Sequence, residues 1–246
     1  MSACDTGAGS GEPGHRRRCP GADDPAGPGA VGESLDRGAF PLVLGGDCPI
    51  LLGCLAALGR RSARVLFIDG HEDAWTPERS TTGEAADMEL GWLLGRGTDG
   101  LPASLRSELP ESKPDDVIVL GARDLDELVA ADVASIDGVV RVVRPESIAD
   151  DPRAAGTDAA ARIADRGPWW LHIDLDVLAT DSLAAVDYRQ PGGLDWPMLT
   201  EITDAALGRP GALGWDVTIY NPDLDPTGQG AAGIVRFLAT ALGRSL

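Results

Sequence analysis

Two short acidic runs hold the residues of this chain that could do chemistry. The first is Asp69-Gly70-His71-Glu72-Asp73, which follows the apolar residues 65–68. The second is Asp174-Leu175-Asp176, which follows Trp169-Trp170-Leu171-His172-Ile173. Asp69, His71 and Asp73 alternate, as do His172, Asp174 and Asp176, so in extended backbone each trio projects to one side. Carboxylates a few ångströms apart repel by about 4 kcal/mol per pair at an effective dielectric of about 20. A bound cation is the usual resolution. Hard carboxylates joined by one imidazole suit Mn²⁺, with Zn²⁺, Fe²⁺, Co²⁺ and Ni²⁺ as alternatives. A thiol, Cys48, ends the turn Gly45-Gly46-Asp47-Cys48 after a third apolar run. Alone, each acidic run reads equally as a solvated loop or helix cap, and Cys48 as a small buried hydrophobe. Together they point to a divalent-metal site.

Such a site needs a scaffold that ends several strands at one edge. Short apolar runs at 42–44, 65–68, 117–120, 139–143, 171–173 and 213–217 read as buried strands. Helical stretches at 50–58, 85–94, 125–134, 159–164, 197–207 and 231–242 fall between them, and Pro197 suits a first helical turn. This alternation predicts an α/β fold, a three-layer α/β/α arrangement with a mostly parallel central sheet. Ligands of such sheets sit beyond the carboxyl ends of the strands, where the acidic runs lie.

At 246 residues one domain is the better expectation than two. Residues 37–246 form that domain. Residues 1–36 are rich in Gly, Pro, Asp and Ala, show no hydrophobic period and read as a disordered tail. His15 lies there and is given no role. The net charge of -18 argues against nucleic acid as a partner. Twenty of the 21 basic residues are arginine, Lys113 being the exception, a bias that reflects coding composition rather than function. Cys4, Cys19, Cys48 and Cys54 form no Cys-x-x-Cys pair and fit a reducing compartment. No apolar run reads as a signal peptide or a membrane span, so the expectation is a cytoplasmic protein without a membrane partner.

With these motifs in order, the chain from about Phe40 onward resembles the arginase/ureohydrolase family. That family's motifs are Gly-Gly-Asp-His, Asp-Ala-His-x-Asp and Ser-x-Asp-x-Asp. Gly121-Ala122-Arg123-Asp124-Leu125-Asp126, Gly192-Gly193-Leu194 and Tyr220-Asn221-Pro222 look like further family segments. The resemblance implies an arginase-like fold and a two-manganese centre. Asp69 and Asp174 would bridge, His71 and Asp176 would hold one metal, and Cys48 and Asp73 the other. The metals would acidify a water that attacks a planar amidine or guanidine carbon, with Asp73 aiming it. The implied activity is hydrolysis of a linear C–N bond in a small-molecule substrate, by a protein whose family commonly forms homo-oligomers.

The chain also departs from the family. Cys48 stands where a histidine ligand is usual. A similar exchange occurs in the Nω-hydroxyarginine hydrolases of cycloserine biosynthesis, which this chain resembles further in Asp69-Gly70-His71, in the run from Trp170 to Leu178 and in Asp187-Tyr188. The glutamate that holds a guanidinium falls at Ile219, a loss of about 1.5–3 kcal/mol of charge-assisted hydrogen bonding, and the proton-shuttling histidine falls near Ala86. Arginine is therefore a poor substrate expectation. Thr82 and Asp126 match substrate-contacting positions, Trp75 replaces a polar neighbour, and Glu84 is expected to supply the lost carboxylate. The alternative for Glu84 is a helix N-terminal acid. His172 is expected to act in proton transfer or behind the ligands, or else as a core histidine. The region before Gly45 lacks the family's first two strands, which leaves residues 42–44 at a sheet edge. Two other readings compete. One is a non-catalytic member that keeps a single metal for stability or ligand sensing. The other, a deacetylase of the same fold, is disfavoured because tandem histidines are absent.

Overall fold

Six apolar runs assemble into one sheet: β1 (Leu42–Leu44), β2 (Val65–Ile68), β3 (Val117–Leu120), β4 (Arg141–Val143), β5 (Trp169–Asp174) and β6 (Ala212–Thr218). Their order is β1-β6-β5-β2-β3-β4, and every neighbouring pair is parallel. The computed structural model describes residues 28–59, 64–108 and 112–245. In β2, β3 and β5 every residue is buried, which requires a cover on both faces. Alternate residues serve the two covers. Val65 and Phe67 face α2 (Ile50–Leu58), α3 (Glu89–Leu93) and α5 (Leu125–Ala130). Leu66 and Ile68 face α7 (Pro152–Ala164), α8 (Trp196–Leu207) and α9 (Gln229–Ser245). The three-layer arrangement expected from the sequence is thus present, with all strands parallel.

The boundary of the expected tail is corrected. Residues 28–36, assigned to it, form helix α1 (Pro28–Asp36), which packs on α2 and buries Val31. Val31, with Leu35 one turn on, packs on the core although no period was visible. Residues 1–27 lie outside the described set. Short helices α4 (Ala103–Glu108) and α6 (Pro145–Asp150) also escape the apolar pattern. Helix α7 starts seven residues earlier than expected, because Asp151 accepts the Ala154 N–H as a cap and Pro152 opens the first turn. The stretch 85–94 is not one helix but a 3₁₀ turn, Ala85–Asp87, followed by α3. The Gly91 N–H turns to Asp73 O instead of the preceding turn, which ties this segment to the loop after β2. Strand β1 lies at the sheet edge, paired among the described residues with β6 alone, and Leu44 on it is 61% exposed. No described helix is long and apolar enough to cross a membrane.

Candidate metal centre

The sheet order makes neighbours of motifs that are distant in sequence. Register pairs Phe67 with His172 and Ile68 with Ile173, so Asp69 and Asp174 leave adjacent strands side by side. Strand β6 pairs Thr218 with Asp174 and brings β1, with the turn to Cys48, to the same edge. Gly121, at the end of β3, holds φ +104° with its α-carbon against the Asp69 carbonyl; a β-carbon there would lie 2.9 Å from that oxygen and 2.4 Å from Val177 Cγ2. The bare backbone lets the two acidic loops close on each other.

Asp69 is the hub. Its Oδ1 accepts the His71 N–H at 2.7 Å, and its ligand atoms lie within 4.8 Å of three sets of donors: His71 with Asp73, Asp174 with Asp176, and Cys48 with Glu89 and His172. Asp176 Oδ2 is 2.9 Å from His71 Nδ1, and Asp176 Oδ1 accepts the Gly70 N–H at 3.1 Å. Asp174 Oδ1 accepts the Asp176 N–H at 2.6 Å, and its Oδ2 meets Cys48 Sγ at 2.5 Å. Asp73 reaches the cluster from a left-handed backbone, φ +41°, a conformation that functional sites tend to retain. All four aspartates are buried, yet among the described residues Asp69 Oδ2, both Glu89 carboxylate oxygens and His172 Nε2 have no hydrogen-bond donor or acceptor partner. Each such orphan costs about 1–3 kcal/mol. A divalent cation answers both the orphaned atoms and the crowded charge, so the donor set fits the metals that the sequence implied.

Electrostatics agree. Burial, and then mutual repulsion, push the Asp69, Asp73 and Asp174 carboxyls up, and burial pushes Glu89 up. Burial opposes the His71 imidazolium, but Asp176 and Asp69 outweigh it and hold the proton well past the usual range. Burial likewise disfavours ionised Asp176, and His71 overrides it and keeps that carboxyl low. The sign for stability follows. Folded carboxyls with raised values bind protons that the unfolded chain has already released. Stability of the metal-free protein therefore falls as pH rises above the ordinary carboxylate range. A cation takes the place of those protons. Mn²⁺ at about 100 times its Kd should add about 2.7 kcal/mol, or roughly 5–11 °C in Tm for a chain of this size, with a smaller gain near pH 5. Thermal melts with Mn²⁺ and with chelator across that range check this; a pH-independent gain contradicts it.

A cavity of about 190 Å³ opens onto the cluster. Cys48, His71, Asp73, Asp174 and Asp176 line its floor, and Trp75, Thr82, Glu84, Asp87, Glu127 and Tyr188 its walls. Glu84 accepts the Tyr188 hydroxyl, which raises that phenol to about 12. Thr82 and Ser80 both donate to Asp87 Oδ2, each at 2.7 Å. Asp126 is exposed and absent from the lining; Glu127, held by Gln190, stands there instead. His172 lies beneath the floor, fully buried. Sequence reasoning passed over Glu89, Asp216, Glu127 and Tyr188 as site residues. Glu89 and Asp216 did carry a signal, since each is a lone acid inside an apolar run (Met88-Glu89-Leu90, Trp215-Asp216-Val217).

The profile of the arginase family matches residues 28–243. This chain belongs to the arginase family. An Nω-hydroxy-L-arginine amidinohydrolase from Streptomyces lavendulae is 32% identical over 168 residues, 67% of this chain and 55% of that protein. An arginase from Bacillus caldovelox is 40% identical over 100 residues, 40% of this chain and 33% of that protein. The chain therefore spans about half of the first relative's length and a third of the second's. The crystal structure of Bacillus cereus arginase superposes with a TM-score of 0.75 at 25% identity, covering 89% of this chain and 76% of that one. The four residue departures from the family read in the sequence, Cys48, Trp75, Ala86 and Ile219, all line this cavity. Ile219 is a β-branched residue at φ +68°, a strained conformation for such a side chain that costs about 1–3 kcal/mol.

Proposed function

We propose that this chain is a metal-dependent hydrolase, with Mn²⁺ the expected ion, that cleaves the C–N bond of a linear amidine or guanidine on a small cationic molecule. The carrying observation is the cavity itself. Its floor is the metal-ligand cluster, its walls add Glu84, Asp87 and Glu127, and among the described residues no lysine or arginine lines it. Metals bound there would acidify water at neutral pH. Asp73, at the floor beside Glu89, would accept or hold a proton where the planar carbon would sit. Glu84, fixed by Tyr188, offers an acceptor to a guanidinium or amidinium in place of the glutamate lost at Ile219. The hydroxyl of Thr82, which the resemblance assigns to a substrate carboxylate, is already spent on Asp87. A substrate carboxylate would meet that internal carboxylate, so amines are preferred to amino acids. Soluble, non-membrane action on a small molecule in the cytoplasm fits this reading, and the exposed edge at β1 offers one place for a second copy to form a homo-oligomer.

The test pairs metal analysis with a urea and ammonia release screen on the purified chain. Guanidino amines and amidines should be turned over at least about tenfold better than the matching amino acids, a difference of about 1.4 kcal/mol. No metal above background and no release would overturn the reading. Metal without any turnover would favour the second reading, a non-catalytic member, to which Ala86 and Ile219 at the cavity wall lend support.

A further inference from the structure

Behind the cavity floor lies a second group of donors that the implied manganese ligands do not absorb. Glu89, on the first turn of α3, is fully buried, and among the described residues neither carboxylate oxygen has a donor. His172, in the middle of β5, is fully buried, and its Nε2 has no hydrogen-bond partner among the described residues. Both lie with Cys48 and Asp69 in one set whose ligand atoms are all within 4.8 Å of one another. His172 is also aimed. Its Nδ1 is 2.5 Å from Asp216 Oδ2, and Asp216 is itself held by the Trp170 indole at 2.5 Å. Phe67 stacks on the ring with centroids 4.6 Å apart. A buried carboxylate on one imidazole nitrogen, with the other nitrogen free and turned toward a thiol and carboxylates, is the arrangement that orients metal-binding histidines. Nε2 is 3.9 Å from Asp69 Oδ2, so a shared cation would draw both orphaned atoms inward.

We propose that Glu89 and His172 join Cys48 and Asp69, which the resemblance already counts among the metal ligands, in a four-donor site selective for Zn²⁺ over Mn²⁺. The inference rests on the metal-dependent reading above and assigns two ligands, Glu89 and His172, that the family resemblance does not. Thiolate and imidazole favour zinc and cobalt, whereas the set around His71, Asp174 and Asp176 keeps the hard oxygen character that suits manganese. Thr218 Oγ1, whose hydroxyl donates to the Ile173 carbonyl, lies 3.3 Å from Cys48 Sγ. The exchange of a histidine for Cys48 is then matched by a histidine supplied from β5, and the centre becomes mixed rather than weakened.

The experiment uses the full chain, stripped by chelator and titrated with Co²⁺ while its absorption is followed. One Co²⁺ per chain should produce a thiolate-to-cobalt charge-transfer band, lost in Cys48→Ser, and Zn²⁺ but not equimolar Mn²⁺ should displace it. Glu89→Gln and His172→Asn should each weaken Zn²⁺ binding at least tenfold. Asp216→Asn, which reaches the site only through the His172 ring, should weaken it about 10- to 100-fold. His71→Asn should leave the band in place. Co²⁺ or Mn²⁺ binding without the band, or unchanged Zn²⁺ affinity in folded Glu89→Gln and His172→Asn, overturns this site while the hydrolase reading stands. Absence of any bound metal overturns both. The parent band reports thiolate ligation, and Glu89→Gln and His172→Asn distinguish this donor set from one completed by Asp73; should either fail to fold, Asp216→Asn, which removes no ligand, carries the test.

Discussion

Replacing Asp69 by asparagine should lower turnover of the true substrate at least about 10³-fold and leave the fold intact. Removing a single preorganised charge-stabilising group costs about 10²–10³ in kcat, and Asp69 belongs to all three donor sets at the centre. The substitution spares the local structure. An asparagine carbonyl can still accept the His71 N–H, and its amide would occupy the place of Oδ2, which has no partner to lose. Burial already disfavours charge on this carboxyl, so the metal-free variant should melt no earlier than the metal-free parent. The Tm gain with Mn²⁺ should vanish with the metal. Metal content, kcat/KM and melts with and without Mn²⁺ check the three parts. A variant that keeps its full metal complement and turns over within tenfold of the parent would show that Asp69 is not the shared ligand.

Glu72→Ala should act on stability instead. Glu72 belongs to the same acidic run but faces away from the cluster and is fully buried. Its Oε1 accepts Arg144 Nη2 and Ser135 Oγ, each at 2.8 Å, and its Oε2 accepts the Ile136 N–H at 2.7 Å. Truncation leaves the Ser135 hydroxyl and the Ile136 N–H without their acceptor and leaves Arg144 with only Asp137 and the Ala122 carbonyl. Breaking a buried pair costs about 3–5 kcal/mol; Arg144 is only partly buried, so about 3 kcal/mol is expected, or roughly 6–12 °C in Tm. Denaturant titration gives the free energy, and Glu72→Gln, which keeps an acceptor at the Ile136 N–H, should recover part of it. A loss below about 1 kcal/mol would mean that solvent replaces these bonds without cost.

Glu72 and Asp73 also show why the site was only partly legible. Type and order of residues pointed to Asp69, His71, Asp174 and Asp176, because two carboxylate runs at the ends of apolar strands, taken together with the Gly-Gly-Asp-Cys turn, have few other uses. Alternation put Glu72 opposite its neighbours, and the structure agrees. Asp73 reaches the cluster by a left-handed residue rather than by extended backbone, a detail that spacing cannot carry. Asp126 and Glu127 reverse the lesson: one position of helical rotation decides which carboxylate faces the cavity, and that rotation depends on how α5 packs. Glu89 sat in plain view inside an apolar run and was read as part of a helix, since nothing local said that α3 would fold back over the floor.

By itself the sequence determined the strands, their parallel pairing and the two acidic runs, because buried strands advertise themselves as continuous apolar segments and metal ligands as charge at their ends. The tertiary structure decided the rest. Sheet order put β1 beside β6 and so brought Cys48 to Asp174 at the end of β5, α3 laid Glu89 under the floor, and Asp216 on β6 turned the His172 ring inward. Each of these is a contact between elements remote in sequence, fixed by packing free energy that no local pattern records.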